Sequence, residues 1–270
     1  MYAIDFEYDG QLLSDFGFMI CDFDGSSGAN IIDSGCAITF TKVKRNAGLK
    51  HGLANTQFDD CLTATFHIAK RPEECDEQEI SADEFRDLVR WLNRHQYLPF
   101  RIINEIEHDK QTCYYNASFN FRKITIAEHL YGIELTVDTD APFGYGFPVN
   151  KQWNNLAAGE TVDLYDYSDD TKFFVPDMSI KVLEAGNLKI TNSLTGSSME
   201  IKNCSANEVI TIYGDTQVIT TSKDSHKIYN DFNFDFLRIG NTYKDKKNVI
   251  KVSIPCNLTI SYQPIIKDAL

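Results

Sequence analysis

Asp138-Thr139-Asp140-Ala141-Pro142-Phe143-Gly144-Tyr145-Gly146-Phe147-Pro148 interrupts an otherwise alternating chain with two prolines and two glycines. Each proline fixes φ and removes a backbone donor, and each glycine loosens the backbone, so a regular ladder does not run through the stretch. Such a break marks a domain boundary. It divides the 270 residues into a part at 1–146 and a part at 147–270, each large enough to bury a core of its own.

Reading back from the break, the period is two. Tyr131, Ile133, Leu135 and Val137 share one strand face, and Cys113, Tyr115, Ala117, Phe119 and Phe121 share another. Leu62, Ala64, Phe66 and Ile68 alternate with Thr63, Thr65 and His67. At the start Tyr2, Ile4, Phe6 and Tyr8 alternate with Ala3, Asp5, Glu7 and Asp9 until Gly10 closes the strand. An aromatic-rich run follows over Phe16 to Phe23, and Gly25-Ser26-Ser27-Gly28 reads as a loop. Val43 to Gln57 is polar and contains glycine, too long for a hairpin turn, and is expected to be a loop. One helix is expected over Ser81 to His95. Ser81-Ala82-Asp83-Glu84 is a capping box, Ile80 and Phe85 are placed for a staple across it, and Phe85, Leu88, Val89 and Leu92 form a 3.6-period stripe. His95 falls at the helix end, where a cation suits the dipole, and Pro99 lies beyond.

Forward from the break the chain is almost purely β. Short runs at Ser179–Leu183, Leu188–Thr191, Met199–Lys202, Val209–Tyr213, Val249–Ile254 and Leu258–Tyr262 are separated by turn-rich segments such as Glu184-Ala185-Gly186-Asn187 and Gly214-Asp215. Many short strands with regular turns make a sandwich. The fold class is therefore mostly β: an N-terminal β-domain with one helix, followed by a β-sandwich.

Charge narrows the partners. With 39 acidic and 26 basic residues the net charge is −13, which disfavours binding to nucleic acid or to an anionic membrane surface. Lys42, Lys44, Arg45 and Lys50 are the nearest approach to a basic patch, and read as a solvated loop. The seven cysteines (Cys21, Cys36, Cys61, Cys75, Cys113, Cys204, Cys256) include no C-x-x-C pair, which speaks against a disulfide framework or a zinc site and for synthesis in a reducing compartment. The acidic start Asp5, Glu7 does not fit a signal peptide, and no apolar run is long enough to span a bilayer.

Motifs for chemistry are lacking. His51, His67, His95, His108, His129 and His226 include no pair at three- or four-residue spacing, so no helical metal pair exists. Acidic clusters occur at Asp59-Asp60, at Glu73 to Glu79, and at Asp163, Asp166, Asp169 and Asp170. The last could cage calcium, but it lacks the glycine and ligand spacing of an EF-hand and reads as a solvated loop. There is no nucleophile elbow, P-loop or dinucleotide fingerprint; Gly144-Tyr145-Gly146 lacks the third glycine. The expectation is no enzyme: no catalytic residue, no cofactor and no metal.

Several stretches, in order, resemble the distal tail proteins of long-tailed phages. Phe6-Glu7-Tyr8-Asp9-Gly10 followed by Ser14-Asp15-Phe16-Gly17-Phe18 is similar to the family's first hairpin, and Phe85 to Leu92, ending in Arg90-Trp91-Leu92, to its helix. Ile133 to Asp140 leading into Ala141-Pro142-Phe143-Gly144-Tyr145 is similar to its exit from the first domain. Glu208 to Ile212 with Gly214, Ile228 to Phe232, the turn Phe236-Leu237-Arg238-Ile239-Gly240-Asn241, Val249 to Ile254 and Leu258 to Pro264 follow the order of its second domain. Tyr243 to Lys247, a charged insert, departs from the pattern.

The resemblance implies a belt-like N-terminal domain (1–146) that closes into a homo-hexameric ring and a galectin-like β-sandwich (147–270), with residues from about 258 to 270 packing back on the N-terminal domain. It implies a structural hub joining the tail tube to the tail-tip or receptor-binding proteins, located in the virion tail after synthesis in the host cytoplasm. Val43 to Gln57 is then the arm that reaches a neighbour or the lumen. A second function from another class is carbohydrate binding by the sandwich. Trp153 beside Asn154 and Asn155 is its one candidate platform, weighed against a packed tryptophan near the domain junction.

Overall fold

The computed structural model describes residues 3–21, 38–44, 51–58, 60–72, 78–104 and 113–267. Tyr2, Phe23, the Gly25 to Gly28 loop, Cys36, Arg45, Lys50, Asp59, residues 73–77, which include Cys75, and His108 lie outside the described residues. The chain divides into two compact units, Met1–Tyr145 with Ile266–Leu270, and Gly146–Ile265.

In the first unit the elements are β1 (Ala3–Tyr8), β2 (Gln11–Leu12), β3 (Phe18–Cys21), β4 (Ile38–Lys44), β5 (His51–Phe58), β6 (Thr63–Lys70), α1 (Ala82–Leu92), β7 (Leu98–Asn104), β8 (Tyr115–Ile126), β9 (His129–Thr139) and β10 (Gly144–Tyr145). Seven strands form an antiparallel sheet in the order β2-β1-β7-β8-β9-β6-β3. The alternating apolar faces meet in one core rich in rings. Phe6 stacks on Trp91 at 5.7 Å and meets Phe100 and Phe119 at 5.6 and 5.8 Å.

α1 starts where its cap predicts. The Glu84 amide donates to Ser81 Oγ at 3.2 Å, and the Ser81 amide to Glu84 Oε2 at 2.7 Å. Its buried face is Leu88, Trp91 and Leu92, with Phe85 half-covered. The Trp91 indole donates to the Tyr8 carbonyl at 3.2 Å and Asn93 Nδ2 to the Phe119 carbonyl at 2.8 Å, which fixes the helix to β1 and β8. The helix ends at Leu92, so His95 stands exposed beyond it and not in its last turn.

Residues 43–57 are not a simple loop. β4 and β5 pair antiparallel from Ile38–Phe58 to Lys44–His51. The two-fold alternation that betrays a half-buried strand is missing because this ribbon has no buried face: all of β4 and most of β5 are exposed.

In the second unit the elements are β11 (Val149–Leu156), β12 (Thr161–Tyr165), β13 (Asp177–Val182), β14 (Gly186–Asn192), β15 (Ser198–Cys204), β16 (Val209–Tyr213), β17 (Val218–Thr221), α2 (Ile228–Asp231), β18 (Lys247–Val252) and β19 (Cys256–Tyr262). A five-stranded sheet, β11-β19-β13-β16-β17, and a four-stranded sheet, β12-β18-β14-β15, enclose one aliphatic core that includes Ile180, Ile190, Met199, Ile210, Ile250 and Leu258. Residues 258–262, expected to return to the first unit, stand inside this sandwich, because Leu258, Ile260 and Tyr262 face its core. It is Ile266 that packs on the core of the first unit.

The turn before β18 is held by one amide. Asn241 Nδ2 donates to Asp166 Oδ2 at 2.9 Å, to the Ser168 carbonyl at 2.8 Å and to the Asp170 carbonyl at 3.2 Å. Gly240 precedes it at φ 151°, and a Cβ there would come within 2.8 Å of the Lys172 carbonyl oxygen.

Candidate functional site

Ile38, Phe40, Val43 and Leu53 on the β4–β5 ribbon are between 41% and 60% exposed. Isolated apolar side chains on a surface need no explanation, but a run of them on a two-stranded ribbon does, since such a ribbon is marginal in water without a partner. Lys42 and Lys44 share the ribbon, also exposed. The sequence offered a signal in the β-branched and aromatic run Ile38-Thr39-Phe40-Thr41, obscured by the polar, glycine-bearing residues that follow.

Three of the described histidines lie against carboxylates. His67 Nε2 lies 3.6 Å from Glu134 Oε2, His129 Nδ1 lies 2.9 Å from Glu79 Oε1, and His226 Nδ1 lies 2.5 Å from Glu208 Oε1. Glu208 is fully buried. Burial alone would raise its pKa, yet the Ser205 amide, the Thr221 hydroxyl and the His226 ring together hold it below the usual carboxylate range. Burial pushes the Cys204 and Cys256 thiols up to about 11, so both are protonated at neutral pH and poor nucleophiles. Among the described residues, no three of histidine, cysteine, aspartate and glutamate are arranged to hold a metal ion, and no helix is long and apolar enough to cross a membrane.

The acidic run at 163–170 is not a solvated loop throughout. Asp166 is fully buried and accepts from the Ser168 amide and hydroxyl at 3.2 and 2.8 Å as well as from Asn241. It is drawn inside because the turn supplies those donors. Asp163 instead pairs with Lys247 at 2.9 Å on the surface. Trp153 packs half-buried against the sandwich core and pairs across the sheet with Leu258, so it is not a free platform. Asn155 beside it turns the backbone at φ 56° and donates its amide to Asn257 Oδ1.

Residues 1–141 match the model of a phage tail protein N-terminal domain, and residues 143–262 match that of a phage tail C-terminal domain. No curated protein matches the sequence. Among solved structures the chain is similar to the Dit protein (gp 19.1) of SPP1, described as a paradigm of the hub adsorption apparatus in phages infecting Gram-positive bacteria. The identity is 12% and the TM-score 0.64, over 97% of this chain and 99% of that one.

Proposed function

Since the chain belongs to the phage tail protein family whose two domain models span it, we propose that it is the distal hub of its tail: a structural subunit that closes with copies of itself into a hexameric ring between the tail tube and the tail-tip or receptor-binding proteins. The observation that carries this reading is that the whole chain, and not one domain, takes the fold of the SPP1 hub protein. The role is structural and not catalytic, and its place is the virion tail after synthesis in the host cytoplasm.

Ring closure joins two different patches of the same subunit around a rotation axis. The β4–β5 ribbon supplies one of them. Its exposed Ile38, Phe40, Val43 and Leu53 are aliphatic and aromatic, and a second copy of the chain is the partner that recurs around a ring. A stable contact of this kind buries more than roughly 1,000 Å² in total.

The solution mass of the purified protein tests the reading, alone and mixed with its tail-tube partner. Six chains per particle are expected in at least one of these, and single chains under both conditions would refute the hub. The double variant Phe40→Asp with Leu53→Asp should remain single-chained while melting within about 2 °C of the parent, because neither side chain contributes to a core.

A further inference from the structure

Phe234 holds a backbone conformation that its side chain disfavours. Its φ is 58°, and the other non-glycine residues of the second unit at positive φ are Asn155, Asn203, Asn207 and Gln217, all carboxamides. A bulky residue in the left-handed region is strained, and the strain persists only where the surroundings over-determine it. Here they do. The Asn233 amide donates to the Glu200 carbonyl at 3.0 Å, Asn233 Oδ1 accepts from the Glu200 amide at 3.1 Å, and Asn233 Nδ2 donates to the Ser198 carbonyl at 2.8 Å. Asp235 Oδ2 accepts from the Ser198 amide at 3.1 Å. These bonds occupy the outer edge of β15, the last strand of its sheet. Covering a sheet edge accounts for Asn233 and Asp235. It does not account for phenylalanine between them, because the ring is 67% exposed and asparagine or glycine would make the same turn without strain.

The ring is also fixed in direction. It meets Phe232 at 5.3 Å between centroids, and Phe232 meets Phe236 at 4.9 Å. Polar pairs on the same segment are already formed: Asn203 Nδ2 donates to Asp231 Oδ1 at 2.9 Å, and Arg238 lies 3.6 Å from Asp235. Among the described residues of the second unit, every exposed large apolar side chain except Val218 is aromatic, whereas three of the four on the β4–β5 ribbon are aliphatic. An exposed ring on a segment that also carries carboxylate and guanidinium groups, one of them paired with the Asn203 amide, complements a sugar. The ring takes the C–H face, and the paired groups take hydroxyls, which both donate and accept.

We propose that Phe234 is the platform of a saccharide-binding site on the second unit, which stacks a hexose ring of a surface polysaccharide and hydrogen-bonds its hydroxyls through Asn203, Asp231, Asp235 and Arg238. The site is a function additional to ring assembly and does not depend on it.

The intact protein is applied to an array of bacterial surface polysaccharides and their component oligosaccharides, and bound sugars are then titrated against Phe234→Asn, Phe234→Tyr and Tyr243→Ala. Phe234→Asn should lose at least tenfold in affinity while its Tm stays level or rises by about 2–4 °C as the strain is released. Phe234→Tyr should keep binding, as should Tyr243→Ala, which removes a different exposed ring. The proposal is overturned if no saccharide is retained by the parent, if Phe234→Asn binds like the parent, or if its Tm falls by more than about 4 °C, which would make the ring structural. Particle mass is read in parallel. It is expected to be the same for all four proteins, so an empty array leaves the hub reading untouched.

Discussion

At residue scale, Asn241 satisfies three acceptors with one amide nitrogen, among them the buried carboxylate of Asp166. Asn241→Ala removes one donor from that buried carboxylate and strands the turn's carbonyls, and a loss of about 1–3 kcal/mol is expected in denaturant melts. The run Leu237-Arg238-Ile239-Gly240-Asn241 was visible in the sequence, but its object was not. Asp163, Asp166, Asp169 and Asp170 look alike along the chain, and only the fold selects the one that turns inward. Glu208 makes a second case. Its folded pKa is depressed, so its charge adds stability above the unfolded value of about 4.3, and that stability is lost as pH falls through the lower folded value. Glu208→Gln should lower Tm at neutral pH and flatten the acid limb of a Tm–pH profile. An unchanged limb would assign the acid sensitivity to other carboxylates.

At element scale, legibility followed burial. α1 was readable because Ser81 and Glu84 form a local cap and its stripe faces a core, although Trp91, its most engaged side chain, falls outside the four positions the stripe singled out. Trp91→Ala should cost about 3–5 kcal/mol, and Ser81→Ala about 1 kcal/mol, in equilibrium unfolding. The loop expected at Val43 to Gln57 misses β5 and the end of β4 because the strands there bury no face and their polar, glycine-bearing residues do not alternate. The β8–β9 connection shows a related difficulty. Ala127 and Glu128 both sit at positive φ, 48° and 71°, in a two-residue turn that normally advertises itself with glycine or asparagine. In the stretch that divides the chain, Gly144 is required by packing, since a Cβ there would overlap Cys113 Sγ and the Tyr115 ring. The candidate saccharide platform had no such signature. Phe232, Phe234 and Phe236 recur at a spacing of two in the sequence, and only the left-handed backbone at 234 distinguishes the middle ring from its neighbours.

At the scale of the whole molecule, the acidity of the chain has a direction to be tested. If the proposed ring encloses a channel for DNA, its wall works best when it does not hold phosphates, and −13 per subunit would supply a repulsive field at low salt. Acidic side chains should outnumber basic ones on the lumen face of the N-terminal part, and the assembled protein should run through a DNA column at physiological salt. Retention there, or lysines lining the pore, would reverse that reading. The position of Ile266 carries a different kind of consequence. It packs on the core of the first unit, yet it is synthesised after every residue of the second. At about 5–20 residues per second, roughly 6–24 s of translation separate Tyr145 from Ile266. Throughout that interval the first unit lacks one of the apolar side chains that cover its core. The unit begun first is thus completed last, its final packing waiting on the synthesis of the second.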